Sequence, residues 1–163
     1  GYWKDVGTIS SLWEANMEVL DPKNSGIDLF DEDWKIYSRN SGMTGHKIGS
    51  DAVIKNSMIT DGCRIDGEVE HSVLFAGVKV APGAVVKDAV VMGGTVIKPG
   101  AVVEHCIIGE NAVIGENAKI GVEKEGEDKG VATIGPGVYV GDGATVGSNA
   151  MVRENVKDGE EEW

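Results

Sequence analysis

The sequence predicts an all-β fold, a three-sided parallel β-helix, and three observations predict it. With two exceptions, an aliphatic residue recurs every five or six positions from Ile48 to Val152. A Gly, Asn or Asp stands at a fixed place between successive aliphatic positions. With 24 Gly and only 6% aromatic residues, the apolar side chains are mostly Val, Ile and Ala, which suit a narrow interior.

The repeat comes first, because a missed period would misassign the whole chain. In IGENAVIGENAKIG the unit is six residues long, and the same aliphatic position can be followed through Ile48, Ile54, Ile59, Ile65, Val69, Leu74 and onward. Steps of six, six and five bring every third position back after seventeen residues, so Val80, Ile97 and Ile114 form one column and Val86, Val103 and Ile120 the next. Three short faces per turn make a prism whose strands stack ~4.8 Å apart, each bonded to the coils on either side.

The corners explain the small residues. Turning the chain by about 120° in two residues calls for positive φ, which Gly accepts freely and Asn or Asp at modest cost. That position reads Asp51, Gly62, Gly77, Gly83, Gly94, Gly100, Asn111, Asn117, Gly137, Gly143 and Asn149. Pro82-Gly83, Pro99-Gly100 and Pro136-Gly137 preset a type II turn. The next residue, for example Ala84, Ala101, Ala112, Ala118 or Ala144, must be small to fit inside. An α-helical reading of the same Val/Ile/Ala-rich stretch fails, since a Gly or Asn every six residues would penalise it repeatedly. Two irregularities are expected: a short step from Ile65 to Val69, and a charged excursion, VEKEGEDKGVAT, over 122–133.

Ahead of the repeat, TISSLWEANMEVL places Ile9, Leu12, Trp13, Met17 and Leu20 on one helical face, with Thr8 as cap and Pro22 closing the end. That stripe must be buried, either on the prism or on a domain outside this chain. An irregular connector then carries DLFDEDWKIYSRN, anchored by Trp34, Ile36 and Tyr37.

Composition narrows the function. A net charge of -12, from 27 Asp+Glu against 15 Lys+Arg, repels phosphate backbones and anionic lipid, so neither nucleic acid nor a membrane surface is an expected partner. No apolar run reaches the roughly 20 residues of a bilayer span, and no signal segment leads the chain; a soluble cytoplasmic protein is expected. Cys63 and Cys106 make neither a disulfide framework nor a metal cluster and read as small buried hydrophobes. His71, Asp88 and His105 share one edge of the prism at successive coils and could in principle hold a cation. The simpler reading makes them turn formers, because with Asn56 they occupy the corner of the five-residue faces and are types enriched at positive φ. His46 precedes the first coil and fits no pattern. No nucleophile elbow or phosphate loop is present.

The order YWKDVGT, an amphipathic helix ending in EANMEVLDP, the connector DWKIYSRN, and EHSVLFAGV within hexapeptide coils closely resembles the C-terminal part of bacterial glucose-1-phosphate adenylyltransferase, also called ADP-glucose pyrophosphorylase. The likeness covers nearly the whole chain. It implies a left-handed β-helix carried behind a Rossmann-like nucleotidyltransferase domain, in a parent that makes ADP-glucose and diphosphate from ATP and glucose 1-phosphate for glycogen synthesis. It implies further that Asp5 is one of two carboxylates holding the catalytic Mg²⁺, with Trp3 lining the same site; a divalent cation on hard oxygen ligands neutralises charge as diphosphate leaves. In that family the second carboxylate, the glycine-rich nucleotide loop and the sugar-phosphate lysines lie upstream of the position matching residue 1, so this chain is expected to hold no catalytic or cofactor-binding residue of its own, and no cofactor. Within it, Asp5 reads as an ordinary exposed turn residue.

The implied organisation is the end of a catalytic domain plus helix over 1–20, a connector over 21–47, a β-helix over 48–157 interrupted at 122–133, and an acidic tail over 158–163. The implied role is assembly and regulation, and the implied partners are the N-terminal nucleotidyltransferase domain and other subunits, in a homo-oligomer, commonly a tetramer, or a hetero-oligomer with a paralogous subunit. The connector SRNSGMTGHKIG lacks the prolines usual in relatives, and the tail VRENVKDGEEEW lacks the basic cluster that phosphorylated effectors use in some of them, so sugar-phosphate regulation is not implied here. Three other readings stand beside this one. The chain could belong to the non-catalytic paralogue, which often loses the Asp5 motif, or to an enzyme for another sugar phosphate such as mannose 1-phosphate. It could also be a free-standing acyltransferase working at trimer interfaces.

Overall fold

The computed structural model describes residues 2–163, so Gly1 lies outside it. Helix α1 spans Ile9–Glu18 and one-turn helix α2 spans Pro22–Ser25; from Lys47 to Glu162 the regular structure is parallel β.

Three aliphatic columns form the interior. The first face stacks Ile48, Ile65, Val80, Ile97, Ile114 and Val140 in direct register. The second stacks Ile54, Val69, Val86, Val103, Ile120 and Val146, and the third Ile59, Leu74, Val91, Ile108, Ile134 and Val152. From Ile65 onward the column members of the first two faces are essentially free of solvent through Val146. Burying one such side chain contributes roughly 1.5–3 kcal/mol, so the column is held by repetition and not by any single contact.

The corners behave as the sequence requires, with one exception. Asn56, His71, Asp88, His105, Asn111, Asn117 and Asn149 all take positive φ, as do the Gly of the three Pro-Gly pairs. Asp51 does not; it sits in a turn of the first coil, where no earlier coil constrains the bend. The short step at Ile65 to Val69 is absorbed by a coil of fifteen residues, seen in the pairing of Ile54 with Val69 and of Ile65 with Val80.

The excursion is tied at both ends. Val122 pairs with Gly147 and Ala132 with Cys106, leaving only 123–131 outside the ladder. At its start Gly121 takes φ +84, and a Cβ there would lie 1.8 Å from the Glu104 carbonyl oxygen. At its close, Ser148 Oγ accepts from the Gly130 amide and donates to its carbonyl, and Asn149 Nδ2 donates to the Asp128 carbonyl.

Three expectations are corrected. Pro22 does not close α1, which ends at Glu18; it opens α2, where its fixed φ and missing N–H are tolerated. Trp34, Ile36 and Tyr37 do not anchor the connector, for they are 78%, 56% and 87% exposed; nothing in this chain passes over them. The acidic end is no free tail, because Glu161 and Glu162 pair with Thr145 and Val146 as a last strand. Backbone pairing is indifferent to the carboxylates, which stay in water.

Candidate functional site

Two regions could carry chemistry: the N-terminal segment with Trp3 and Asp5, and the prism edge with the histidines. A single element, α1, joins them.

The structure builds α1 from the sequence outward. Thr8 is extended at the N-cap, its hydroxyl accepts from the Ser11 amide at 3.1 Å, and Ser11 Oγ accepts from the Thr8 amide at 3.0 Å, a reciprocal capping box. Its apolar stripe packs on the prism and not on something outside the chain: Met17 is buried with Val73, Val90, Ile107 and Val131, and Ile9, Leu12, Trp13 and Leu20 pack around them. Val73, Val90 and Ile107 are the outward neighbours of the third column, and Val131 stands at the close of the excursion. The sequence carried the signal in its apolar doublets, Met58-Ile59, Val73-Leu74, Val90-Val91 and Ile107-Ile108, which mark a face covered on both sides.

The histidine edge is where the helix locks. His71 Nδ1 lies 2.6 Å from Asp88 Oδ1, the Asp88 carbonyl accepts a 2.7 Å hydrogen bond from Trp13 Nε1, and the Trp13 ring meets the His105 ring at 4.3 Å between centroids. Burial, and then the nearby Lys129 ammonium, hold the His105 imidazole below its ordinary range. Among the described residues no three His, Cys, Asp or Glu side chains converge as a metal site. Positive φ at His71, Asp88 and His105 makes the edge a turn ladder, and the Trp13 contacts make it a helix dock; the dock is not legible in the sequence, since nothing there ties Trp13 to Asp88.

Cys63 and Cys106 are buried at small corner positions, and burial pushes both thiols up from their ordinary range, Cys106 the further, which disfavours the reactive thiolate.

At the front end, Trp3 is 83% exposed and Asp5 is exposed, its Oδ1 accepting from the Gly7 amide at 3.1 Å in a local turn. Lys4 folds back on α1, bonding Glu14 at 3.2 Å and also Glu18, which Tyr2 OH reaches at 2.8 Å. The Lys4 contact holds the Glu18 carboxyl below its usual range. YWKDVGT is thus pinned to α1 through Tyr2 and Lys4 while Trp3 and Asp5 face outward. Trp3 and Asp5 stand on the α1 side of the prism, and neither joins the histidine edge. Asp5 keeps one carboxylate oxygen free, a donor suited to a hard cation, yet the described residues supply no cluster around it.

A family model described as GlmU-like, C-terminal hexapeptide, matches residues 41–141. A glucose-1-phosphate adenylyltransferase of Clostridium perfringens is 56% identical over 92 residues, covering 56% of this chain and 24% of that protein. One from Geobacillus stearothermophilus is 53% identical over 87 residues, 53% of this chain and 22% of that protein. The matched region thus spans about a quarter of the length of these relatives. Among solved structures, the acetyltransferase domain of PglB from Neisseria gonorrhoeae superposes with a TM-score of 0.50 at 22% identity, over 74% of this chain and 55% of that one, a likeness that speaks to the fold alone.

Proposed function

Because the chain belongs to the GlmU-like C-terminal hexapeptide family, we propose that it is the β-helix part of a glucose-1-phosphate adenylyltransferase, non-catalytic by itself and serving assembly. The observation that carries this reading is the 56% identity to a relative of that name, joined to the outward-facing Trp3 and Asp5 of the YWKDVGT segment.

On this reading the intact protein makes ADP-glucose and diphosphate from ATP and glucose 1-phosphate. Asp5 would offer one carboxylate oxygen to a Mg²⁺, and Trp3 would line that site; the chemistry such a cation would supply there is neutralisation of phosphate charge. This chain's own part is positional: Tyr2 and Lys4 clamp the segment to α1, and α1 is clamped to the prism, so Asp5 is held against a rigid column. Such fixed placement is what a metal ligand needs.

The test is a substrate panel on the intact protein. With ATP and Mg²⁺, glucose 1-phosphate should release diphosphate and mannose 1-phosphate should not; the reverse preference, or no diphosphate from either, would overturn the assignment.

A further inference from the structure

The corner ladder of the prism starts ahead of its first strand. At one edge each corner amide donates to the coil before it: Gly77 to the Asp61 carbonyl at 3.0 Å, Gly94 to Ala76 at 2.9 Å, Asn111 to Gly93 at 2.9 Å and Gly137 to Glu110 at 2.8 Å. Gly62 continues the series, donating at 2.7 Å to the carbonyl of Thr44, which belongs to the connector and to no strand. The prism therefore begins at Met43-Thr44, before Lys47–Ile48.

Met43 seats this rung. Its sulfur lies 2.5 Å from where a Cβ would stand at Gly62 and 3.2 Å from one at Gly77, and its Cε 3.1 Å from the latter. Two stacked glycines thus form a slot that a side chain on either would close. Higher on the same edge the Asn111 side chain covers Gly94 in the same way. The other holds on this end of the connector are slight. Ser41 Oγ meets Asp61 Oδ2 at 3.5 Å, the side-chain bonds to the Gly42 and Met43 amides are local, and an open cleft of about 640 Å³ lies between 38–41 and Thr60, Asp61 and Phe75.

The seat is also open to reagents, because Met43 is 50% exposed. Met17 is buried, and Met58 and Met92 are partly buried around it under α1. Met151 is 54% exposed, but it pairs with Thr133 at the other end of the prism.

We propose that Met43 is a modification site for hydroperoxides, and that its sulfoxide unseats residues 41–45 from the Gly62-Gly77 slot. The thioether lone pair takes the terminal peroxide oxygen, so an S–O bond forms as the O–O bond breaks. Sulfur gives up two electrons, and the departing hydroxide takes the proton of the transferred oxygen and leaves as water. The product is a polar, chiral group whose oxygen calls for a donor. The Gly62 and Gly77 amides beside it are already bonded, to Thr44 and Asp61, so the oxygen turns to water and draws the sulfur out. A dithiol reverses the step, carrying the oxygen off as water while it becomes a disulfide. The device does not depend on which reaction the intact protein carries.

The test treats residues 1–163, whose core is made by their own columns, with hydrogen peroxide. Peptide mass spectrometry locates the added oxygen, and hydrogen exchange reads the Gly62 amide. Met43 should gain one oxygen while Met17 does not, and Gly62 exchange should then quicken at least about tenfold while Gly77 and Gly94 stay slow. Methionine sulfoxide reductases with a dithiol should restore the slow exchange. Met43→Leu keeps an apolar side chain in the slot without sulfur and should hold Gly62 protected with or without peroxide; Met151→Leu should respond like wild type. Met43→Gln, polar from the start, should show fast Gly62 exchange with no peroxide. Circular dichroism confirms the fold of each variant. A Met43 spared while Met151 is oxidised, a Met43 sulfoxide that leaves Gly62 exchange unchanged, or a Met43→Leu chain that still quickens under peroxide would overturn the proposal.

Discussion

Trp13 Nε1 donates a 2.7 Å hydrogen bond to the backbone carbonyl of Asp88, 75 residues further along the chain. Asp88 holds a left-handed corner with φ 48, so the helix is tied to the feature that bends the chain into a prism. One bond therefore couples the front end to the column.

Replacing Trp13 should loosen that coupling without unwinding the prism. Trp13→Phe keeps most of the ring and removes the donor, at a cost of about 1 kcal/mol. Trp13→Ala also removes the packing against His105 and should cost about 2–4 kcal/mol. Hydrogen exchange should rise through Ile9–Glu18 and stay slow in the strands; faster exchange throughout the strands would show that the helix is not a separate layer.

The excursion depends on one glycine. At Gly121 a Cβ would fall on the Glu104 carbonyl oxygen and φ is +84, so Gly121→Ala should destabilise by about 2 kcal/mol or more, measured by urea unfolding. Gly137→Ala, with φ +70 but open space around it, isolates the backbone strain and should cost about 1 kcal/mol. Equal costs at the two sites would contradict the geometry.

Acid should weaken the helix dock through His105. Its imidazole is held below the ordinary range when folded, so the unfolded chain binds the proton first. The stability is fully present above about pH 6.5, the ordinary imidazole value, and falls as pH drops below it. His105→Asn, which tolerates the same positive φ, should flatten the part of the pH profile just below that value; an unchanged profile would remove His105 from the account.

The two thiols should resist modification in the native state. Burial of Cys63 and Cys106 predicts that a thiol reagent labels them only as fast as the chain opens, and quickly in denaturant. Rapid native labelling of either would mean that its corner is open.

The turn chemistry was legible in the sequence because each corner must satisfy a local backbone demand, and His71, Asp88 and His105 meet it with the residue types that tolerate left-handed φ. The columns were legible because burial repeats with the coil. The exposure of Trp34, Ile36 and Tyr37 was not: they look like anchors by composition, but burial needs a neighbour, which composition does not name. Nor did the carboxylates of Glu161 and Glu162 suggest a strand, since the pairing with Thr145 and Val146 is made by the backbone alone. At the front end the motif pointed to Asp5, and the structure adds how Tyr2 and Lys4 hold the segment to α1.

On the proposed reading, this chain forms a rigid column that presents Asp5 to a reaction centre completed by the rest of the intact protein. ADP-glucose formation, measured for the intact protein, for its Asp5→Asn variant and for residues 1–163 alone, tests it most directly. The account predicts turnover by the first, a loss of about a hundredfold or more in the second, and none from the third. Full activity in the Asp5→Asn protein, or turnover by the chain alone, would contradict it.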